Sequence, residues 1–467
     1  MRSSTAPGLC ALLLFAACTD STTAPERPQL QPTAATASGT PGWLLDDSLE
    51  VRVVTAEGRP VAGTLVTWSA ASPGAVIRPD TVRTNAEGRA RAAYAPGWTL
   101  GPQTVRATST DGEATFTVTA TGMRLTQVQM AARRVCGLDA DGRMWCWAKY
   151  QNPTGPTTLP AAGRPLPVAS SLRFTVLRGN EYARAPNDAF CAITTTGELW
   201  CARDSDFTGP WYTTSAVPTL RRVDTPVPFR DIELGGDRGE YACGIDTTNV
   251  AWCRGRNTRG ELGDGTRDDR AEWTPVSGGL RWTELALSGF EASCGLALNG
   301  VPYCWGLGAS DLVPPPHAGD ALLTPRAVGL TLPPLRRLSA AQLGLCGIAA
   351  AGSAELLCWG TMVPTRTVDP STASPLRDLP TTATSLGGDW AGGRFVHNGR
   401  LYRFGYNGGE VADLEFYGDE QLAPEPTGVM RLVTRNSSYW CVEHAAGATI
   451  CADKRERPVA VPLPMTP

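Results

Sequence analysis

The chain has 467 residues, room for roughly two to four domains, and 42% of them are apolar. Fifty glycines and thirty-eight prolines favour turn-rich, all-β structure over helices, and a formal charge of −3 argues against a nucleic-acid partner, whose surfaces concentrate positive charge. The three histidines, His317, His397 and His444, have no metal-ligand spacing to one another, so neither a metal nor a cofactor is expected.

Residues 1–18 read as an export signal. Arg2 opens a polar segment, and Leu9 to Ala17 is an apolar core too short to span a bilayer. It closes on Leu14-Phe15-Ala16-Ala17-Cys18, which resembles a bacterial lipobox, with small residues at the two positions before a cysteine. The resemblance implies cleavage before Cys18, a diacylglyceryl group on its sulfur and an acylated amino group. Several acyl chains anchor stably where one binds only marginally. Phe15 stands where the pattern has Leu, which leaves a plain secretion signal as the alternative. Residues 19–38, rich in Thr, Ser, Pro and Ala, cannot bury a core and read as a flexible tether.

Residues 39–121 carry short strand patterns and no cysteine. Ala114, Phe116, Val118 and Ala120 alternate with Thr115, Thr117 and Thr119, a strand with one buried face, and Trp68 is the expected core aromatic. The runs Gly58-Arg59-Pro60-Val61, Val66-Thr67-Trp68, Thr84 to Ala90 and Gly101 to Val105 resemble a bacterial immunoglobulin-like domain of the invasin and intimin group. That resemblance implies a β-sandwich serving as spacer or presenter.

Residues 122–467 are organised around one repeated device. In Cys294-Gly-Leu-Ala-Leu-Asn-Gly-Val-Pro-Tyr-Cys304, two apolar arms flank an Asn-Gly turn, which predicts a β-hairpin. Pairing Gly295 with Tyr303 and Leu296 with Pro302 sets Cys294 opposite Cys304, within disulfide reach. Cys136 and Cys146, Cys191 and Cys201, Cys243 and Cys253, Cys346 and Cys358, and Cys441 and Cys451 bracket equivalent turns. A seventh copy turns at His397-Asn398-Gly399 and puts Gly393 and Arg403 at the cysteine positions, so both cysteines are missing together. Zinc is the competing reading, but it favours cysteines two to four residues apart. Six hairpin disulfides imply an oxidising compartment outside the cytoplasm.

The turn residues Gly142, Gly197, Asn249, Gly300, Gly352, Gly399 and Gly447 recur at intervals near fifty. Periods of this size with four short strands each predict a propeller, here seven-bladed, whose units bury their faces against neighbours. Cys253-Arg254-Gly255-Arg256-Asn257-Thr258-Arg259-Gly260-Glu261-Leu262-Gly263-Asp264-Gly265-Thr266 resembles the signature of the regulator of chromosome condensation repeat family. Trp305-Gly306 and Trp359-Gly360 keep part of it. The resemblance implies a seven-bladed propeller. The founding member's nuclear GTPase and chromatin are not partners to expect of an exported, slightly acidic chain. The Pro-Val runs at Thr225-Pro226-Val227 and Thr274-Pro275-Val276 read as strands opening the blades that follow them. Blade one would then lack a strand, and Arg457 to Leu463 is expected to supply it.

No phosphate loop, Gly-x-Ser-x-Gly elbow or His-Glu-x-x-His run occurs, so no catalytic residues are expected. Asp264, Asp268 and Asp269 lack the alternate spacing of a calcium loop and read as a solvated acidic loop. Glu443 and His444 are adjacent on a strand and should point apart. Trp147, Trp305 and Trp359 recur at one repeat position, which predicts packing between blades. Trp211, Tyr212, Trp390, Phe416 and Tyr417 fall in irregular connections and form the candidate binding surface. The expectation is a monomeric, lipid-anchored scaffold in a bacterial envelope, whether outer-membrane, periplasmic or surface-exposed, whose propeller binds a protein or glycan. The alternatives are a hydrolase or lyase acting at the propeller mouth, signalled by carboxylate pairs there, and an inhibitor of a secreted enzyme.

Overall fold

The computed structural model is all-β. It describes residues 28–467 apart from 149–164, 181–187, 204–217, 314–320, 351–355, 361–373, 376–384, 406–411, 414–428, 435–439, 453–458, 461–467 and interruptions of four residues or fewer.

Residues 29–120 make two sheets. One orders Gln29–Pro32, Leu49–Val54, Arg89–Ala95 and Val76–Arg78, and the other Thr36–Gly39, Gly112–Ala120, Gly101–Ser109, Leu65–Ala70 and Thr81–Arg83. Between them lies a core with Val51, Val53, Val66, Trp68, Tyr94 and Phe116. The expected alternation holds: Ala114, Phe116, Val118 and Ala120 are buried and the intervening threonines exposed. Trp68 is buried with its ring 5.6 Å from that of Phe116.

Residues 29–39 do not form the tether expected to reach Ser38. Gln29–Pro32 and Thr36–Gly39 are already strands, one in each sheet. Strand pairing satisfies backbone groups whatever the side chains, so a Thr- and Ala-rich run with the buried Leu30 suffices. Register also places the two ends of this unit. Gln29 pairs with Val54 beyond the Arg52–Arg89 pair, whereas Gly101 pairs with Ala120 at the end that continues into the second unit. The strands between these ends are up to nine residues long, a span of about 25–30 Å.

Among the described residues, seven four-stranded antiparallel sheets follow, each in sequential strand order. Their first strands are Leu125–Ala131, Phe174–Gly179, Phe229–Gly235, Trp282–Leu287, Leu335–Ala341, Ser385–Asp389 and Val429–Leu432. Successive first strands lie against one another, so they form the inner wall, and the sheets radiate from it as propeller blades.

The second and third strands of each blade are the repeated hairpin. Cys294 faces Cys304, Gly295 faces Tyr303 and Leu296 faces Pro302, the expected register. Disulfides join Cys136–Cys146, Cys191–Cys201, Cys243–Cys253, Cys294–Cys304 and Cys441–Cys451. Cys346 is disulfide-bonded as well, and the residue opposite it is Cys358. The cysteine-free hairpin departs from expectation in register: Gly393 faces Phe404, and Arg403 faces Arg394. Its turn joins His397 directly to Arg400, whereas Ala297 in blade four bonds Val301 across a three-residue loop. One residue fewer in the turn shifts every cross-strand partner.

The recurring turn glycines have a physical reason that joins one blade to the next. The carbonyls of Gly142, Gly197, Asn249, Gly300 and Gly399 accept hydrogen bonds from the N–H of Phe174, Phe229, Trp282, Leu335 and Val429, the residues that open the next inner strand, at 2.8–3.1 Å. Gly300 has φ +78°, and a Cβ there would lie 2.8 Å from Pro334. Gly300→Ala is therefore expected to destabilise the protein by about 1–3 kcal/mol, read as a lower denaturant midpoint at unchanged slope.

The carboxy-terminal strand does not go where the Pro-Val pattern placed it. Val459–Ala460 pairs with Thr449–Ala452 as the outer strand of blade seven, and blade one has its own fourth strand, Leu166–Val168. Thr274 and Pro275 likewise close blade three instead of opening blade four. A period shows that strands repeat but not where one unit ends, and antiparallel pairing after a hairpin favours the preceding sheet.

The ring closes without an exchanged strand. Val128 N–H donates to Val433 O at 2.9 Å, and Leu125, Val128, Met130, Val135 and Trp147 of blade one share a core with Val433, Cys441 and Cys451 of blade seven.

Candidate functional site

Two rims bound the ring. One carries the tight hairpin turns and the starts of the inner strands. The other carries the connections from first to second and from third to fourth strands, many of them long, such as 256–269 and 307–321. The turn rim is closed by the carbonyl bonds described above, so the long-connection rim is where this fold can vary its surface.

The connection 256–269 of blade three is described throughout. Asn257 is fully buried: its Oδ1 accepts from Leu262 N–H at 3.0 Å and its Nδ2 donates to Asp264 Oδ1 at 3.1 Å. Glu261, also fully buried, accepts from Arg256 Nε at 2.9 Å and from the Arg259 N–H at 2.8 Å. Its carbonyl receives Ser293 Oγ and Trp305 Nε1 of blade four, each at 2.8 Å. Gly263 lies close against the Trp305 ring, where a Cβ would come within 2.8 Å. The signature motif is thus a wedge driven into the seam between blades three and four.

Asp264 is part of that wedge. Burial raises its carboxyl pKa, but hydrogen bonds from Thr266, Arg270 and Asn257 outweigh it and hold the pKa below the ordinary aspartate value. Asp269 accepts from the Asn257 N–H at 2.8 Å, and Asp268 and Asp269 are exposed. Among the described residues no group of three or more His, Cys, Asp or Glu side chains could hold a metal ion.

Carboxylates do line the inner wall, and they act as fasteners. Arg178 of blade two reaches Asp231 at 2.7 Å and Glu233 at 2.9 Å in blade three. Glu284 of blade four accepts from Leu338 N–H at 2.9 Å and Arg337 at 3.3 Å in blade five. Gln127 does the same from blade one, accepting from Leu177 N–H at 2.9 Å and donating to Thr175 O at 2.7 Å. Sequence reasoning missed these clasps. Their signal is a polar residue two or four places after the apolar residue that opens each inner strand.

At the last seam Glu443 binds Arg124 and Arg431. Burial pushes its carboxyl pKa up, but the two guanidinium hydrogen bonds and charges outweigh it and hold it below the usual glutamate value. A lowered pKa contributes stability above the unfolded glutamate value, and that contribution is lost as pH falls through the folded one. Wild type should therefore lose stability more steeply than Glu443→Gln between about pH 5 and 3, measured by melting temperature across that range. Parallel pH profiles would contradict this. Such a carboxylate is ionised at neutral pH and unsuited to donating a proton.

Trp147 and Trp305 are fully buried, as expected of blade packing; the Trp359 side chain lies outside the described residues. Trp211 and Tyr212 fall between the third and fourth strands of blade two, and Trp390 between the first and second strands of blade six. Both connections leave their strands at the long-connection rim. Phe416 and Tyr417 fall between the last strand of blade six and the first of blade seven. All five, like Cys18, lie outside the described residues.

The class these features define is an all-β propeller with hairpin disulfides, preceded by a sandwich, in an oxidising compartment. No family profile and no curated protein matches the sequence. Among solved structures, human WBSCR16 is similar at TM-score 0.51 and 12% identity over 87% of this chain and 100% of its own. Yeast RCC1 (Prp20), solved bound to Kap60, is similar at TM-score 0.45 and 16% identity over 60% of this chain and 69% of its own. The CRINKLY WD40 ectodomain of the Arabidopsis thaliana receptor kinase ACR4 gives 0.43 and 14% over 74% and 98%. At these identities the likeness is one of fold.

Proposed function

We propose that this chain is a lipid-anchored presenter of the bacterial envelope. Its Cys18 carries the lipid, its immunoglobulin-like sandwich is the spacer, and its propeller binds a protein or glycan without turning it over. The observation that carries the reading is the polarity of the molecule. Gln29 lies at the sandwich end remote from the propeller. Leu100, at the other end, meets the blade-seven turn, 3.8 Å from where a Cβ on Gly447 would sit. The sandwich therefore mounts on the turn rim, and the long connections face away from the anchor. The engaged carboxylates of the inner wall support binding over hydrolysis.

Replacing Cys18 with Ser should move the protein from the membrane to the soluble fraction. That soluble variant, used as bait on envelope extract and on a glycan array, should retain a ligand that is lost with Trp211→Ala/Tyr212→Ala and kept with Leu298→Ser on the turn rim. Loss with Leu298→Ser alone would place recognition on the wrong rim and overturn the reading.

A further inference from the structure

Five described seams share one staple, the turn carbonyl of one blade bonded to the opening N–H of the next inner strand. The seam between blades seven and one is made differently. There the Leu125 N–H donates to Thr449 Oγ1 at 2.8 Å, and the Thr449 N–H donates to Met123 O at 2.9 Å. Met123 and Arg124 belong to the connector from the sandwich, so the connector takes over what the turn does elsewhere.

Two residues of the sandwich complete the join. Trp43 follows the strand Thr36–Gly39, and its loop is tied down by Gly42 N–H to Pro96 O at 2.9 Å and Leu45 N–H to Tyr94 O at 2.8 Å. Yet Trp43 is not in the core between the sandwich sheets. It is buried with Met123, Leu125 and Trp147 of the connector and blade one and Val433 of blade seven. Leu100 likewise packs against the cluster that joins Val429, Trp440 and Ile450 of blade seven to Val396 and Leu401 of blade six. Arg124 adds its ion pair to the buried Glu443.

We infer that the amino-terminal sandwich is the latch of the ring: it holds the first and last blades together, and the propeller stays closed through it. The physical need is clear, because every other seam is backed by continuous chain from one blade to the next. Blades one and seven are joined by none, and the carboxy-terminal strand does not cross between them.

Hydrogen exchange read by mass spectrometry on the full chain tests it. Trp43→Ala and Leu100→Ala should each speed exchange on the order of ten-fold in Leu125–Ala131, Val429–Leu432 and Trp440–His444, while Phe229–Gly235 and Trp282–Leu287 keep their rates. Leu65→Ser, at an exposed sandwich position, is the control and should leave both sets alone. Faster exchange confined to residues 29–120 would make these side chains parts of the sandwich only. Equal acceleration in all blades would mean general destabilisation. Either result, or no change, overturns the latch.

Discussion

Reduced and alkylated protein is expected to lose the cooperative unfolding of the propeller, while the cysteine-free strands from Gln29 to Ala120 keep their own buried core. Cys136–Cys146, Cys191–Cys201, Cys243–Cys253, Cys294–Cys304 and Cys441–Cys451 each close a sequence separation of 10 residues. In the chain-entropy view, such a loop contributes about 2–3 kcal/mol by restricting the unfolded state. Several together rival the net stability of a domain, about 5–15 kcal/mol. The sulfurs are also core: Cys136, Cys146, Cys243, Cys253, Cys304 and Cys451 are 0% exposed. Melting with and without reductant measures the effect, and peptide mapping without reduction should return each pair within one hairpin, Cys346 with Cys358 included. Cross-blade pairs, or an unchanged melt after reduction, would refute the arrangement.

Trp305→Ala is expected to cost about 3–5 kcal/mol, the range for truncating a buried aromatic. The ring is fully buried, lies 5.5 Å from that of Trp282 and abuts Gly263, while its Nε1 donates to the Glu261 carbonyl. Truncation opens a cavity and releases the wedge of residues 256–269 from blade four. Trp305→Phe should recover part of the packing but not the hydrogen bond, and so fall between. Equilibrium denaturation of the three proteins orders them, and a loss under 1 kcal/mol for the alanine variant would show that the wedge is held elsewhere.

What lies within a dozen residues of itself was legible in the sequence. Alternating apolar arms, a turn residue and two facing cysteines are a local arrangement, so the Cys294–Cys304 hairpin and its register follow from order alone. The 114–120 alternation and the buried Trp147 and Trp305 are of the same kind. The period near fifty then yields seven repeats, and closing them into a ring answers the burial of both faces.

What only the tertiary structure decided is where units begin and what meets across the chain. The Pro-Val segments repeat with the hairpins whichever blade they join, so sequence could not tell an opening strand from a closing one; pairing gave Thr274-Pro275 and Val459 to the preceding blade, and Thr225 to Val227 lies outside any strand. Leu30 in a Thr- and Ala-rich run looked like tether because edge pairing is made by the backbone. A one-residue-shorter turn moved Gly393 away from Arg403. The clasps of Gln127, Arg178 and Glu284, and the one cluster that holds both Trp43 and Val433, join residues some fifty to several hundred positions apart. No local pattern names the partner in such a pair, because its energy depends on one blade lying against the next, and that juxtaposition exists only once the ring has closed.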